Sequence, residues 1–418
     1  MNPSAYETLL DFISSLAIID THEHLAAFEM PVGGDVLLKN FSSYLSHDVI
    51  SAGLPQHIFD TVVANEAVPL MKKWRVLAPF WPYVRYTGYG RATTIAAREL
   101  YGIDTIDEKS VEDWNARFLS AHKSGGHYQR ILKEKCNIET CVLDGWQHDV
   151  DSAYFHPAEQ VMHMVYGDDG NLWQSAQART GCTLHTFDDL LEAVDRHIET
   201  RLTDGAVCLK CTLAYHRSLH FPETDIADVR ADLQRMREGR DPGVGKNCTA
   251  LQNYMMHHIL KTVNRLGGVI QFHTGIQAGN GNYLEWTNPI HLTNLFLAYP
   301  NVKFDLFHIG YPFWNTATVL AKNFQNVFID MCWAHIISPA DSITALGSFL
   351  DTVPCNKISA FGGDFGFIDG IVGHLWLARE NVARTLTQKI ADGRMDMDDA
   401  KYIAQRLFYA NPKELFGL

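Results

Sequence analysis

The chain has 418 residues, 46% of them apolar, with 30 Gly and 15 Pro, a composition that excludes a disordered or collagen-like polymer and can bury a large core. Thirty-five basic against 48 acidic residues leave a net charge of −13 with no block of like charge, which argues against a nucleic-acid groove. Neither a basic leader with an apolar core nor an apolar run of about 18 residues is present, so the sequence predicts a cytoplasmic protein without a membrane segment. Its eight cysteines are too sparse for a disulfide scaffold, and Cys208 and Cys211 lie in a strand-like run that turns them to opposite faces.

Eight short apolar runs recur along the chain: Leu16–Asp20, Ile138–Leu143, Gln160–Val165, Ala206–Lys210, Gly268–Phe272, Lys303–Phe307, Asn326–Asp330 and Ile358–Phe361. Several are continuously apolar, as expected for strands covered on both faces of a parallel sheet. Helix-like segments such as Phe187–Arg201, Leu251–Leu266, Pro289–Ala298, Ala317–Gln325 and Pro339–Leu350 separate them. Strands alternating with helices eight times predict an α/β fold, a (β/α)8 TIM barrel whose function sits on the loops after each strand.

Two stretches exceed a minimal barrel. Residues 25–135 form a large, mostly helical insertion after strand 1, and Phe221 to about Lys246 forms a smaller charged one after strand 4. Both follow strands, so both are expected to cap the functional face. With no internal repeat and no linker-like tract, residues 1–418 read as a single decorated barrel domain.

His22 and His24 follow the first run, two apart on extended chain, and therefore share a face. His273 ends the fifth run, His308 the sixth, and Asp364 follows the eighth. Imidazoles and a carboxylate delivered to one rim match the preference of zinc and similar divalent ions.

With these positions the chain resembles the metal-dependent amidohydrolase superfamily, nearest the amidohydrolase-related branch of TIM-barrel hydrolases and decarboxylases. The closing Asn411-Pro412-x-x-Leu415-Phe416 is similar to a C-terminal helix signature of many members. The resemblance implies His22, His24, His273 and Asp364 as ligands of one divalent metal, most simply zinc. Asp364 then takes a proton from the attacking water, and His308 stabilises the oxyanion or ligates a second ion. Lys210 closes the fourth run where binuclear members carry a carboxylated lysine; carboxylated, it bridges two metals, and otherwise it reaches toward solvent.

Substrate contacts must come from the loops. Phe80–Arg91 gathers aromatics with Arg85 and Arg91, and Tyr215-His216-Arg217 follows strand 4. An arginine fork reads carboxylates, which makes Arg85, Arg91, Tyr215 and Arg217 candidate substrate-binding residues. The glycine-rich Gly275–Asn282 reads as a lid, and Tyr311, Trp314 and Trp333 as an apolar wall.

The leading expectation is a metal-dependent hydrolase of a C–N amide, ester or lactone bond in a small, carboxylated substrate. A nonoxidative decarboxylase of the same superfamily is the alternative. An aldose–ketose isomerase of uronates ranks third, because Phe365-Gly366-Phe367 follows Asp364 in place of a serine- and arginine-containing segment, and an inactive binding scaffold is a reading of another class. The expected partners are a small-molecule substrate and copies of the chain itself as a homo-oligomer, with no nucleic acid and no membrane.

Overall fold

The computed structural model describes residues 3–145, 149–167, 171–238 and 248–418. Eight parallel strands follow one another in sequence order around a single sheet: β1 Ile18–Glu23, β2 Ile138–Asp144, β3 Phe155–Gln160, β4 Cys208–Cys211, β5 Val269–Phe272, β6 Lys303–Leu306, β7 Val327–Asp330 and β8 Ile358–Ser359. Segments just beyond β8 close the barrel against β1: the Thr21 N–H donates to the Phe361 carbonyl at 3.1 Å and the Asp364 N–H to the His22 carbonyl at 2.8 Å. The expected TIM barrel is therefore the observed one. No helix among the described residues is long and apolar enough to cross a membrane.

One strand lies elsewhere than expected. The apolar run Gln160–Val165 is not a strand; β3 occupies Phe155–Gln160, and Met162–Val165 turns into a short helix. Pro157 and Glu159 disguise the strand, since proline lacks a ladder donor and a buried carboxylate is costly unless paired. Glu159 is paired: Arg201 Nε donates to it at 3.0 Å and His197 Nε2 lies 2.9 Å away, both from the helix Phe187–Thr203.

Strand register builds a polar layer inside this barrel. Gln160 pairs with Lys210, Lys210 with Gln271, and Gln271 with Asp305. At the opposite end of β8, Asn411 Nδ2 donates to the carbonyls of Cys355 and Ile358 at 2.6 and 2.7 Å. That contact gives Asn411, the first residue of the helix Asn411–Phe416, a structural role.

The insertion after β1 carries its own hydrophobic cluster, built on Val36, Phe41, Trp74, Trp81 and Trp114. Asp35 caps one of its helices, accepting from the Leu38 N–H at 2.9 Å, and forms an ion pair with the fully buried Lys73 at 2.5 Å. Its helix Gly88–Tyr101 lies against Ile368–Ala391, the helix after β8. The approach is so close that a methyl group at Gly373 would collide with the Ala92 carbonyl, which explains a glycine in mid-helix. The smaller excursion after β4 contains the helix Ile226–Glu238; the remainder of that predicted stretch, 239–247, lies outside the described residues.

Candidate metal centre

β1 delivers His22 fully buried and His24 with 44% of its side chain exposed. Their rings meet edge to face at 4.8 Å. Asp364 reaches them from the turn after β8, where its φ of +60° places it in the left-handed region. Its Oδ1 lies 3.6 Å from His22 Nε2 and 3.1 Å from His24 Nε2. A second carboxylate, unforeseen from the sequence, joins from the end of β2: Asp144 Oδ2 stands 3.6 Å from His22 Nε2 and 3.9 Å from His24 Nδ1. Gln160 Nε2 donates to that same oxygen at 2.7 Å. The signal for Asp144 was available, since it closes an apolar run as Asp364 and His308 do.

His308 and His273 lie on the other side of Asp364, and Lys210 lies beside His22. His308 Nε2 is 3.9 Å from Asp364 Oδ2 and 3.0 Å from His273 Nδ1. Lys210 Nζ is 3.3 Å from His22 Nε2, with the Phe307 ring centroid 3.5 Å below it. Lys210 thus points inward and is buried, not solvated. Cys332, after β7, brings its sulfur into a group with His308 and Asp364 whose donor atoms lie within 4.8 Å of one another. His308, Ile309, Trp333 and Asp364 all adopt positive φ. Left-handed backbone at non-glycine residues costs energy and is retained where side chains must be aimed, here around one spot.

The electrostatics suit cation binding. Burial, reinforced by the Lys210 charge, holds His22 well below the usual imidazole value. Burial and the neighbouring His308 do the same to His273, and burial takes His308 down to about 4. Neutral imidazoles keep a lone pair for a metal. Asp364 is held well below the carboxylate range because its contact with His24 and the charges of His308, His24 and His22 outweigh burial. His24 moves upward, the Asp364 and Asp144 carboxylates outweighing burial. Burial raises Asp144.

The structure places Tyr215 at this cluster, its ring 4.7 Å from that of His273 and its hydroxyl accepting from the Ala278 N–H at 2.9 Å. The arginines are engaged otherwise. Arg85 is exposed and donates to the Tyr86 hydroxyl at 2.6 Å. Arg91 pairs with Glu380 at 3.2 Å. Arg217 donates to Gln252, Asn253 and the carbonyls of Ser218 and His220 at 2.6–3.1 Å. Trp333 stands edge-on to His308, whereas Trp314 packs toward Phe349. The Gly275–Asn282 loop lies across the rim, with the Gly279 N–H donating to His47 Nε2 at 2.9 Å and Asn280 Nδ2 to the His47 carbonyl at 3.1 Å.

A cavity of about 460 Å³ opens beside His24 and Asp144 and is lined further by Gln160, Met162, His163 and Thr212. Among the described residues, Asp144 Oδ1 and His22 Nδ1 are buried without a hydrogen-bond partner. Orphaned polar atoms beside converging imidazoles and carboxylates are the donor set of a zinc-like divalent ion, so these residues fit one.

An amidohydrolase family model matches residues 143–418. The chain belongs to the amidohydrolase family. Its fold is similar over the whole length to the glucuronate isomerase of Caulobacter crescentus, with a TM-score of 0.79 at 17% identity, covering 100% of this chain and 95% of that one. The uronate isomerase of Thermotoga maritima gives 0.76 at 15% identity, covering 99% and 97%. A Lactobacillus casei protein carrying a metal-dependent hydrolase assignment gives 0.68 at 14%, covering 98% and 97%. The protein fluG of Emericella nidulans is 23% identical over 254 residues, which are 56% of this chain and 29% of that one. The match thus spans less than a third of the length of fluG.

Proposed function

We propose that this amidohydrolase is a zinc-dependent hydrolase of a C–N amide, ester or lactone bond in a small molecule. The observation that carries the reading is Asp364, ionised and within 4 Å of His22, His24 and His308. A bound dication would supply a Lewis acid that polarises a substrate oxygen and makes water acidic near neutrality. His22, His24, Asp144 and Asp364 would hold it. Asp364 accepts the proton of the attacking water, then passes it to the leaving nitrogen or oxygen. His308, with its Nδ1–H committed to the Cys332 carbonyl at 2.9 Å, orients Asp364 from the side opposite His24.

The cavity beside His24 is the place for the rest of the substrate. Gln160, His163 and Thr212 give it a polar lining, and among the described residues no arginine lines it. The substrate is therefore read as small and polar, and the case for a carboxylate recognised by Arg85, Arg91 or Arg217 loses its support.

Likeness to two uronate isomerases over the full chain, helical insertion included, favours a second reading, an aldose–ketose isomerase of sugar acids. The same barrel serves many reactions, so fold alone does not decide. Zinc-loaded protein should be offered amides, esters, lactones and hexuronates in parallel. Bond cleavage with uptake of one water, giving two products from an amide or ester and one hydroxy acid from a lactone, supports the first reading; aldose-to-ketose conversion without net uptake of water overturns it, as does carbon dioxide release without hydrolysis.

A further inference from the structure

The strand that carries His22 and His24 also holds the turn that carries Asp364. Three consecutive N–H groups of that turn end on β1: Gly363 donates to Asp20 Oδ1 at 3.0 Å, Asp364 to the His22 carbonyl at 2.8 Å, and Phe365 to Glu23 Oε2 at 2.8 Å. The His22 N–H shares Asp20 Oδ1 at 3.1 Å, and the His24 N–H returns to the Phe365 carbonyl at 3.1 Å. Asp20 and Glu23 are fully buried and in hydrogen-bond contact with each other. A hydrogen shared between the two carboxyls relieves that contact, since two like charges buried together would be costly. The space beneath the turn is shaped for Glu23: a methyl group at Gly363 would collide with Glu23 Oε1. Buried polar groups are retained where their hydrogen bonds are used. Here they are used on the backbone either side of Asp364, whose φ of +60° costs a non-glycine residue energy.

We propose that Asp20 and Glu23 are positioning residues: their carboxyls clamp the N–H groups of Gly363 and Phe365 and so aim the Asp364 carboxylate at His22 and His24. Neither touches the imidazoles with its side chain; both act through the turn. The clamp makes the two histidines and Asp364 one hydrogen-bonded unit, with Asp364 Oδ1 held 3.6 Å from His22 Nε2 and 3.1 Å from His24 Nε2. Its consequence for a bound cation rests on the proposed function's reading of Asp364, whereas the clamp itself is a property of the metal-free chain.

The test compares Glu23→Leu, which keeps similar volume but offers Phe365 no acceptor, with Glu23→Gln, which keeps an acceptor oxygen and supplies an N–H toward Asp20. In metal-stripped protein, hydrogen–deuterium exchange read by mass spectrometry should quicken at 363–365 in Glu23→Leu and match the unaltered protein in Glu23→Gln. Zinc affinity, measured in competition with a chromophoric chelator, should fall about 10–100-fold in Glu23→Leu and return to within about threefold in Glu23→Gln. Exchange quickened throughout the barrel gives Glu23 a general packing role and overturns the proposal. Unchanged exchange at the turn, or unchanged zinc affinity in Glu23→Leu, overturns it as well. An unaltered protein that binds no zinc, yet shows the exchange change confined to the turn and its rescue in Glu23→Gln, upholds the clamp and overturns the metal reading of the proposed function. Should Glu23→Leu misfold, Asp20→Ala, which releases the Gly363 N–H and spares Glu23, takes its place in both measurements.

Discussion

The phenol of Tyr44, at the start of a helix in the insertion, donates a hydrogen bond to the backbone carbonyl of Asp364. Its ring stacks on Trp333 at 4.6 Å and 28° and lies 5.1 Å from Phe365. The insertion therefore does more than cover the rim: it bonds to the backbone of the residue whose carboxylate meets three histidines. Tyr44→Phe keeps the stacking and removes only the hydrogen bond, which is worth about 1 kcal/mol. We expect a fall in kcat of roughly 5–10-fold with KM and the unfolding midpoint little changed. An unchanged kcat means that the turn after β8 holds Asp364 unaided.

His22→Ala and Asp364→Asn remove donors that no neighbour can replace. Turnover should fall below detection, and metal content measured after dialysis should drop, while far-ultraviolet circular dichroism stays that of the folded barrel. Chelation of the unaltered protein should likewise abolish activity, and zinc should restore it. Full activity in either variant refutes its assigned role.

How much of this was legible in the sequence follows from what each element buries. Seven of the eight strands are visible because apolar residues covered on both faces leave an apolar run. β3 is hidden because its buried Glu159 is neutralised by His197 and Arg201, partners 38 and 42 residues away that a local pattern does not reveal. His22, His24 and Asp364 are legible from their places after strands. Cys332 and Tyr44 are not, since a cysteine in an apolar run and a tyrosine in a helical insertion look like core. For Arg217 the sequence shows a cation after β4 and so suggests a substrate anchor, whereas its partners, neutral side-chain oxygens and carbonyls, are visible only in the fold.

That difference can be measured. Arg217 ties the turn after β4 to Gln252 and Asn253 of the helix Thr249–Leu266 and lies over the Phe221 ring at 4.6 Å. Arg217→Ala removes four hydrogen bonds and the contact with Phe221 at once, at a cost of about 2–4 kcal/mol. Urea unfolding should show that loss, with KM moving less than twofold. A large rise in KM at unchanged stability restores the substrate role.

Behind the rim, His335 and His374 are fully buried with rings 6.2 Å apart. His335 Nε2 faces the Ala360 carbonyl at 2.9 Å, and His374 Nδ1 faces the Gly363 carbonyl at 3.1 Å, one residue before Asp364. Burial lowers His335 to about 4 and, helped by the neighbouring His335, lowers His374 to about 3. Both are neutral in the fold, whereas an exposed histidine titrates near 6.5. As pH falls below about 6.5 the unfolded chain takes up protons that the folded chain refuses, so this contribution is complete above that pH and is lost progressively toward pH 4 and below. Each unit of depression corresponds to roughly 1.4 kcal/mol, which sets the scale at a few kcal/mol for each histidine. Urea midpoints at pH 7.5, 6 and 5 should decline in that order. His335→Asn and His374→Asn should be less stable at pH 7.5 yet decline less steeply, which separates the histidines from the carboxylates that also titrate on acidification. Parallel declines in the variants and the unaltered protein place the acid sensitivity elsewhere.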